Sequence, residues 1–64
     1  MNRKELKTLA KKIAECERII SSNNSSKDEV SRAKDDVLYY TSKISSLEEV
    51  IMVDEMVQKF LDNF

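Results

Sequence analysis

Tyr39-Tyr40 and the cations around them are the residues best equipped for chemistry in this chain, and the chemistry they suit is binding. At about 100° per helical residue, Tyr39 shares a face with Lys43 one turn on, Asp35 one turn back and Arg32 nearby. An aromatic platform beside two cations can stack a base and hold its phosphate. A half-exposed tyrosine among ordinary helical ion pairs is the plainer reading of the same residues. Arg3, Lys4, Lys7 and Lys11 form a second basic group, spread over about two turns. They suit an anionic backbone or a nucleotide, or simply make a solvated charged face.

Catalysis has little to work with. The chain has no histidine, which removes the commonest general base and any Ser-His or Cys-His pair. Asp35-Asp36, Glu48-Glu49 and Asp54-Glu55 are adjacent carboxylates, but helical neighbours at i,i+1 do not face one another. One cysteine and no histidine also leave no structural zinc set, and no Glu-x-x-His pair for a bundle metal centre. No catalytic residue, metal ligand or cofactor is therefore assigned, and the expectation is a protein that is not an enzyme. Cys16 reads as a small buried hydrophobe, or as a contact with its own copy across a symmetric dimer.

The elements that must position these residues are helices. Leu6, Leu9, Ile13, Cys16 and Ile20 follow steps of 3, 4, 3 and 4, a heptad seam over a helix at about residues 2–21. Ser21 to Ser26 is an unbroken run of serine and asparagine, which compete with the helix for backbone groups and predict a turn. Asn23 or Asn24 is the expected left-handed residue there, since the chain has no glycine. Ser26 with Glu29 matches a capping box that restarts a helix near Lys27. That helix, about 27–45, carries a second seam of Val30, Ala33, Val37, Tyr40, Ile44 and Leu47. Two such helices joined by a short polar loop make an antiparallel hairpin.

Over about 46–62 the pattern changes phase. Val50, Val53, Met56, Val57, Phe60, Leu61 and Phe64 form a stripe about 160° from the preceding one if a single straight helix carries both. Ser46 and Glu49 match a second capping box, which favours a break at Ser45-Ser46 and a final helix that folds back. A helix continuous with the preceding one stays open, because no proline or glycine forces the break. In either form this stripe exceeds what a small hairpin covers. Val53, Met56, Val57, Phe60, Leu61 and Phe64 are therefore expected as oligomer contacts.

Composition agrees. Sixty-four residues form one small domain, over 1–64, whose fold needs efficient helix packing or self-association in place of disulfides or metal. The fold class is all-α: an antiparallel hairpin plus a C-terminal helical segment, assembled as a coiled-coil-like oligomer. The net charge of −1 argues against long nucleic acid. The longest apolar run, Val50 to Val53, is far short of the roughly 20 residues of a membrane span. A lone cysteine and the absence of a signal-peptide core point to the cytoplasm. Residues 1–20 carry net +3 and residues 47–64 net −4, so the first and last helices attract each other within a chain or between chains.

Two functions follow as expectations. The first is a homo-oligomer that acts as a protein-protein interaction module, inhibitor or regulator. The second is sequestration of a small anionic ligand, such as a signalling nucleotide, in pockets between protomers, using Tyr39, Arg32, Lys43 and the Arg3–Lys11 stripe. Compact phage-encoded sponges for such nucleotides are an analogy of size alone. A DNA-binding helix pair is a third reading, and needs a dimer that presents the first helix in a groove.

Overall fold

The computed structural model describes residues 2–63 and contains three α-helices, with no strand among those residues. They are α1 (Arg3–Ser21), α2 (Lys27–Ser42) and α3 (Leu47–Asp62). Each begins at a side-chain cap, as a chain without glycine or proline requires if its helix starts are to be sharp. Asn2 Oδ1 accepts the Glu5 N–H at 2.8 Å to open α1. Ser26 and Glu29 form a reciprocal capping box at the start of α2, with Glu29 N–H donating to Ser26 Oγ and Ser26 N–H to Glu29 Oε1. At α3 the pattern is half fulfilled. Ser46 Oγ accepts the Glu49 N–H at 3.2 Å, but Glu49 Oε1 reaches one residue further back, to the backbone N–H and hydroxyl of Ser45.

The chain breaks between Ser42 and Leu47, which decides between the two readings of the second half. Hydroxyls at the end of α2 take up backbone carbonyls: Thr41 Oγ1 donates to Val37 O at 2.7 Å and Ser42 Oγ to Tyr39 O at 2.6 Å. Such back-bonding is only a mild perturbation, since Thr8 Oγ1 donates to Lys4 O inside the unbroken α1, and the Ser46 cap starts the new helix. Neither turn uses a left-handed residue, since no described residue has positive φ. The expectation of a left-handed Asn23 or Asn24 is thus corrected. Ser22 ends α1 in an extended conformation at φ −79°, ψ 131°, and its hydroxyl accepts the Asn24 N–H, a serine turn that needs no positive φ.

The first helix is the centre of the molecule. It packs against both α2 and α3, which do not pack against each other. The core cluster is Leu6, Leu9, Ala10, Ile13 and Ala14 of α1 with Val53 and Val57 of α3. Tyr40, Ile44, Met56, Phe60 and Leu61 pack around it, half-buried. No polar or charged side chain is buried among the described residues.

This arrangement redistributes the expected oligomer contacts. Val53 and Val57 are buried, and Met56, Phe60 and Leu61 half-buried, within one chain, because α1 offers a second face at Ala10 and Ala14. Phe64 lies outside the described residues. Of the two seams, Leu6, Leu9, Ile13 and Cys16 are buried and Ile20 is half-buried. In α2 only Ala33 is fully buried, while Val30, Val37, Tyr40 and Ile44 are half-buried. Leu47 leaves the seam altogether. It is 75% exposed, because the break makes it the first residue of α3 instead of the last turn of α2.

Candidate functional site

A groove of about 580 Å³ runs between the first half of α1 and the end of α2. Lys4, Glu5, Thr8, Leu9 and Lys12 line it from α1, and Tyr39, Tyr40 and Lys43 from the other wall. The hairpin creates this juxtaposition by pairing α1 and α2 antiparallel, so the start of one helix lies beside the end of the other. Adjacent positions on α2 point the two tyrosines apart. Tyr40 packs on the core and Tyr39 stays 57% exposed. Their rings still touch, with centroids 5.6 Å apart in an edge-to-face arrangement at 62°.

Each ring carries a cation. Lys43, one turn beyond Tyr39, holds its Nζ 4.6 Å from that ring's centroid. Lys12 of α1 reaches across the helix pair to 5.8 Å from the centroid of Tyr40. Each contact is worth about 0.5–1 kcal/mol at an exposed site, enough to bias the lysine without fixing it. Lys4, Lys12 and Lys43 face one carboxylate, Glu5, so the groove is cationic by two charges.

The expected binding residues are divided by the fold. Tyr39, Lys43 and Lys4 come together in this groove, within a single chain. Arg32 is exposed about two turns back toward the start of α2 and does not line it. Arg3 and Lys7 lie on the α3 side of α1, in a hollow with Met56, Lys59, Phe60 and Asn63. Lys11 is exposed on α1 and lines neither. Tyr40 and Leu9, read from the sequence as seam residues, also line the groove, and Glu5, Thr8 and Lys12 complete it without having been read as site residues. Lys12 flanks the α1 seam, and its side chain became legible only once α2 was beside it.

A second surface is apolar. Leu47 (75% exposed), Val50 (42%) and Ile51 (53%) stand at i, i+3 and i+4 on one face of α3. Val50 also lines a shallow cleft of about 150 Å³ with Ile13, Val37, Ile44, Val53 and Val57, in which Glu17, Thr41 and Asp54 are the polar residues. The cleft exists because α2 and α3 both lean on α1 without closing on each other. Leu38, 70% exposed, stands on α2.

Cys16 is the one thiol, 8% exposed. Burial pushes its pKa up, and the negative charges of Asp36, Glu15 and Glu17 push it further, against the opposing pull of Lys12. The thiol is packed within its own chain. Among the described residues no three His, Cys, Asp or Glu side chains are grouped to hold a metal ion. No helix there is long and apolar enough to cross a membrane. Comparison with protein-family models, curated proteins and solved structures finds no match.

Proposed function

We propose that this protein is a non-enzymatic helical interaction module that self-associates through the exposed apolar face of α3 and acts by covering a partner's surface. The observation that carries this reading is the row Leu47, Val50 and Ile51, exposed together and continuous through Val50 with the cleft above Ile13. Fully burying a side chain of this kind stabilises by about 1.5–3 kcal/mol, of which Val50 at 42% and Ile51 at 53% exposure have about half left to gain. Three from each of two chains supply a useful driving force for association, less the cost of lost rotation and translation.

A second copy of the chain is the occupant that the apolar row suits, set face against face. Residues 47–64 carry five acids against Lys59, while residues 1–20 carry six bases against three acids. α1 and α3 already pack together within one chain, so this complementarity is met there first. Exposed pairs of this sort select orientation more than they add affinity.

The double substitution Leu47→Glu with Ile51→Glu tests the face directly. Both side chains are more than half exposed, so the variant is expected to keep the helical circular dichroism of the parent. It is also expected to sediment as a monomer at concentrations where the parent associates. Unchanged association in the double variant would remove α3 as the interface.

A further inference from the structure

We propose that the groove between α1 and α2 is a binding site for a phosphate-bearing aromatic small molecule, of the nucleoside monophosphate class. At about 580 Å³ it falls within the range of roughly 300–1,000 Å³ typical of small-ligand sites. Its lining supplies both halves of such a ligand's recognition. Tyr39 offers an exposed ring, set at 62° to Tyr40, so an incoming base that stacks on one ring meets the edge of the other. Leu9 adds an apolar wall.

The cations are placed for the phosphate. Lys12 and Lys43 rest over tyrosine rings, a position an ammonium gives up readily for an oxyanion. Lys4 completes a set contributed by both helices. The one carboxylate in the lining, Glu5, accepts from Asn2 Nδ2 at 3.2 Å as part of the cap that opens α1, and the three lysines outnumber it. An inorganic anion would use only the lysines, and an uncharged aromatic only the rings. A ligand with both uses the whole groove.

The site is complete within one chain, so it does not depend on self-association through α3. It also differs from a pocket between protomers: Arg32, Arg3, Lys7 and Lys11 take no part in it. A long single strand meets the chain's net charge of −1 and the acidic C-terminal segment, which favours a single nucleotide over a polymer.

The chain has two tyrosines and no tryptophan, so tyrosine ring resonances report on this groove alone. Titration with adenosine monophosphate is expected to shift both ring systems saturably. Adenosine and inorganic phosphate, each alone, are expected to bind at least about tenfold more weakly, because each engages one half of the lining. Lys43→Ala and Tyr39→Ala are both at exposed positions, and each is expected to weaken the monophosphate by about fivefold or more with the helical signal unchanged. Arg32→Ala, and the Leu47→Glu/Ile51→Glu double variant, are expected to leave it unchanged. No ring shift at millimolar monophosphate would overturn the proposal. So would inorganic phosphate binding as tightly as the nucleotide, tighter binding of an oligonucleotide per site, or an unaltered affinity in Lys43→Ala.

Discussion

Leu6→Ala is expected to remove about 2–5 kcal/mol of stability, the usual cost of a leucine-sized cavity in a packed core. Leu6 is 3% exposed and belongs to the cluster that joins α1 to Val53 and Val57. The loss is large against the whole. At roughly 0.05–0.15 kcal/mol per residue, a 64-residue chain holds only about 3–10 kcal/mol. Urea unfolding followed by circular dichroism is therefore expected to show Leu6→Ala largely unfolded, or with its midpoint sharply lowered. Leu38→Ala is the control. At 70% exposure it is expected to stay within about 0.5 kcal/mol of the parent. Equal effects at the two positions would mean that α1 does not lie between the other helices.

Ala10→Leu is expected to destabilise as well, by overfilling instead of emptying. Ala10 and Ala14 are 0% exposed, one turn apart, in the same cluster as Val53 and Val57. Alanine there leaves room for a neighbouring backbone to come close, and three extra heavy atoms have nowhere to go. Overpacking of this kind costs about 1–3 kcal/mol. For a domain of this size each kilocalorie is about 4–8 °C in melting temperature, so a fall of several degrees to more than 20 °C is expected in a thermal scan. Helix propensity does not confuse the result, because leucine and alanine rank close together. Lys11→Leu, at the exposed neighbouring position, is expected to leave the melt nearly unchanged. A rise in melting temperature for Ala10→Leu would show a void where the structure has close contact.

These two residues also mark where the sequence was and was not legible. Leu6 announced itself, since it opens a heptad seam that continues through Leu9, Ile13, Cys16 and Ile20. Ala10 and Ala14 did not, because alanine carries little hydrophobic signal and suits any helical position. Without them α1 had one face, so the apolar stripe of α3 was assigned to another chain. With them α1 has two faces, and Val53 and Val57 are covered at home. The break before α3 was readable as the favoured of two forms, with the continuous helix left open. Serine both ends and caps helices, and with no proline or glycine present nothing in the sequence forced the choice. The groove between α1 and α2 was half legible. Tyr39 and Lys43 share a face of α2 by local spacing, whereas Lys12 reaches Tyr40 from another helix, and no spacing along the chain encodes that.

The row on α3 is the largest group of neighbouring apolar side chains left exposed by this internal coverage, beside the separate Leu38 of α2. Leu47, Val50 and Ile51 belong neither to the core cluster nor to the residues packed around it. A chain of 64 residues with a modest core gains most from covering them, and association does so at no cost in sequence length.

Sedimentation velocity of the unmodified protein over about a hundredfold range of concentration tests this most directly. Mass action makes an associating chain sediment faster as it is concentrated and melt at a higher temperature in step. The expected result is a weighted mass that climbs from 7.4 kDa toward a whole multiple of it, with a parallel rise in melting temperature. A single 7.4 kDa species at every concentration, with a constant melting temperature, would contradict self-association through α3.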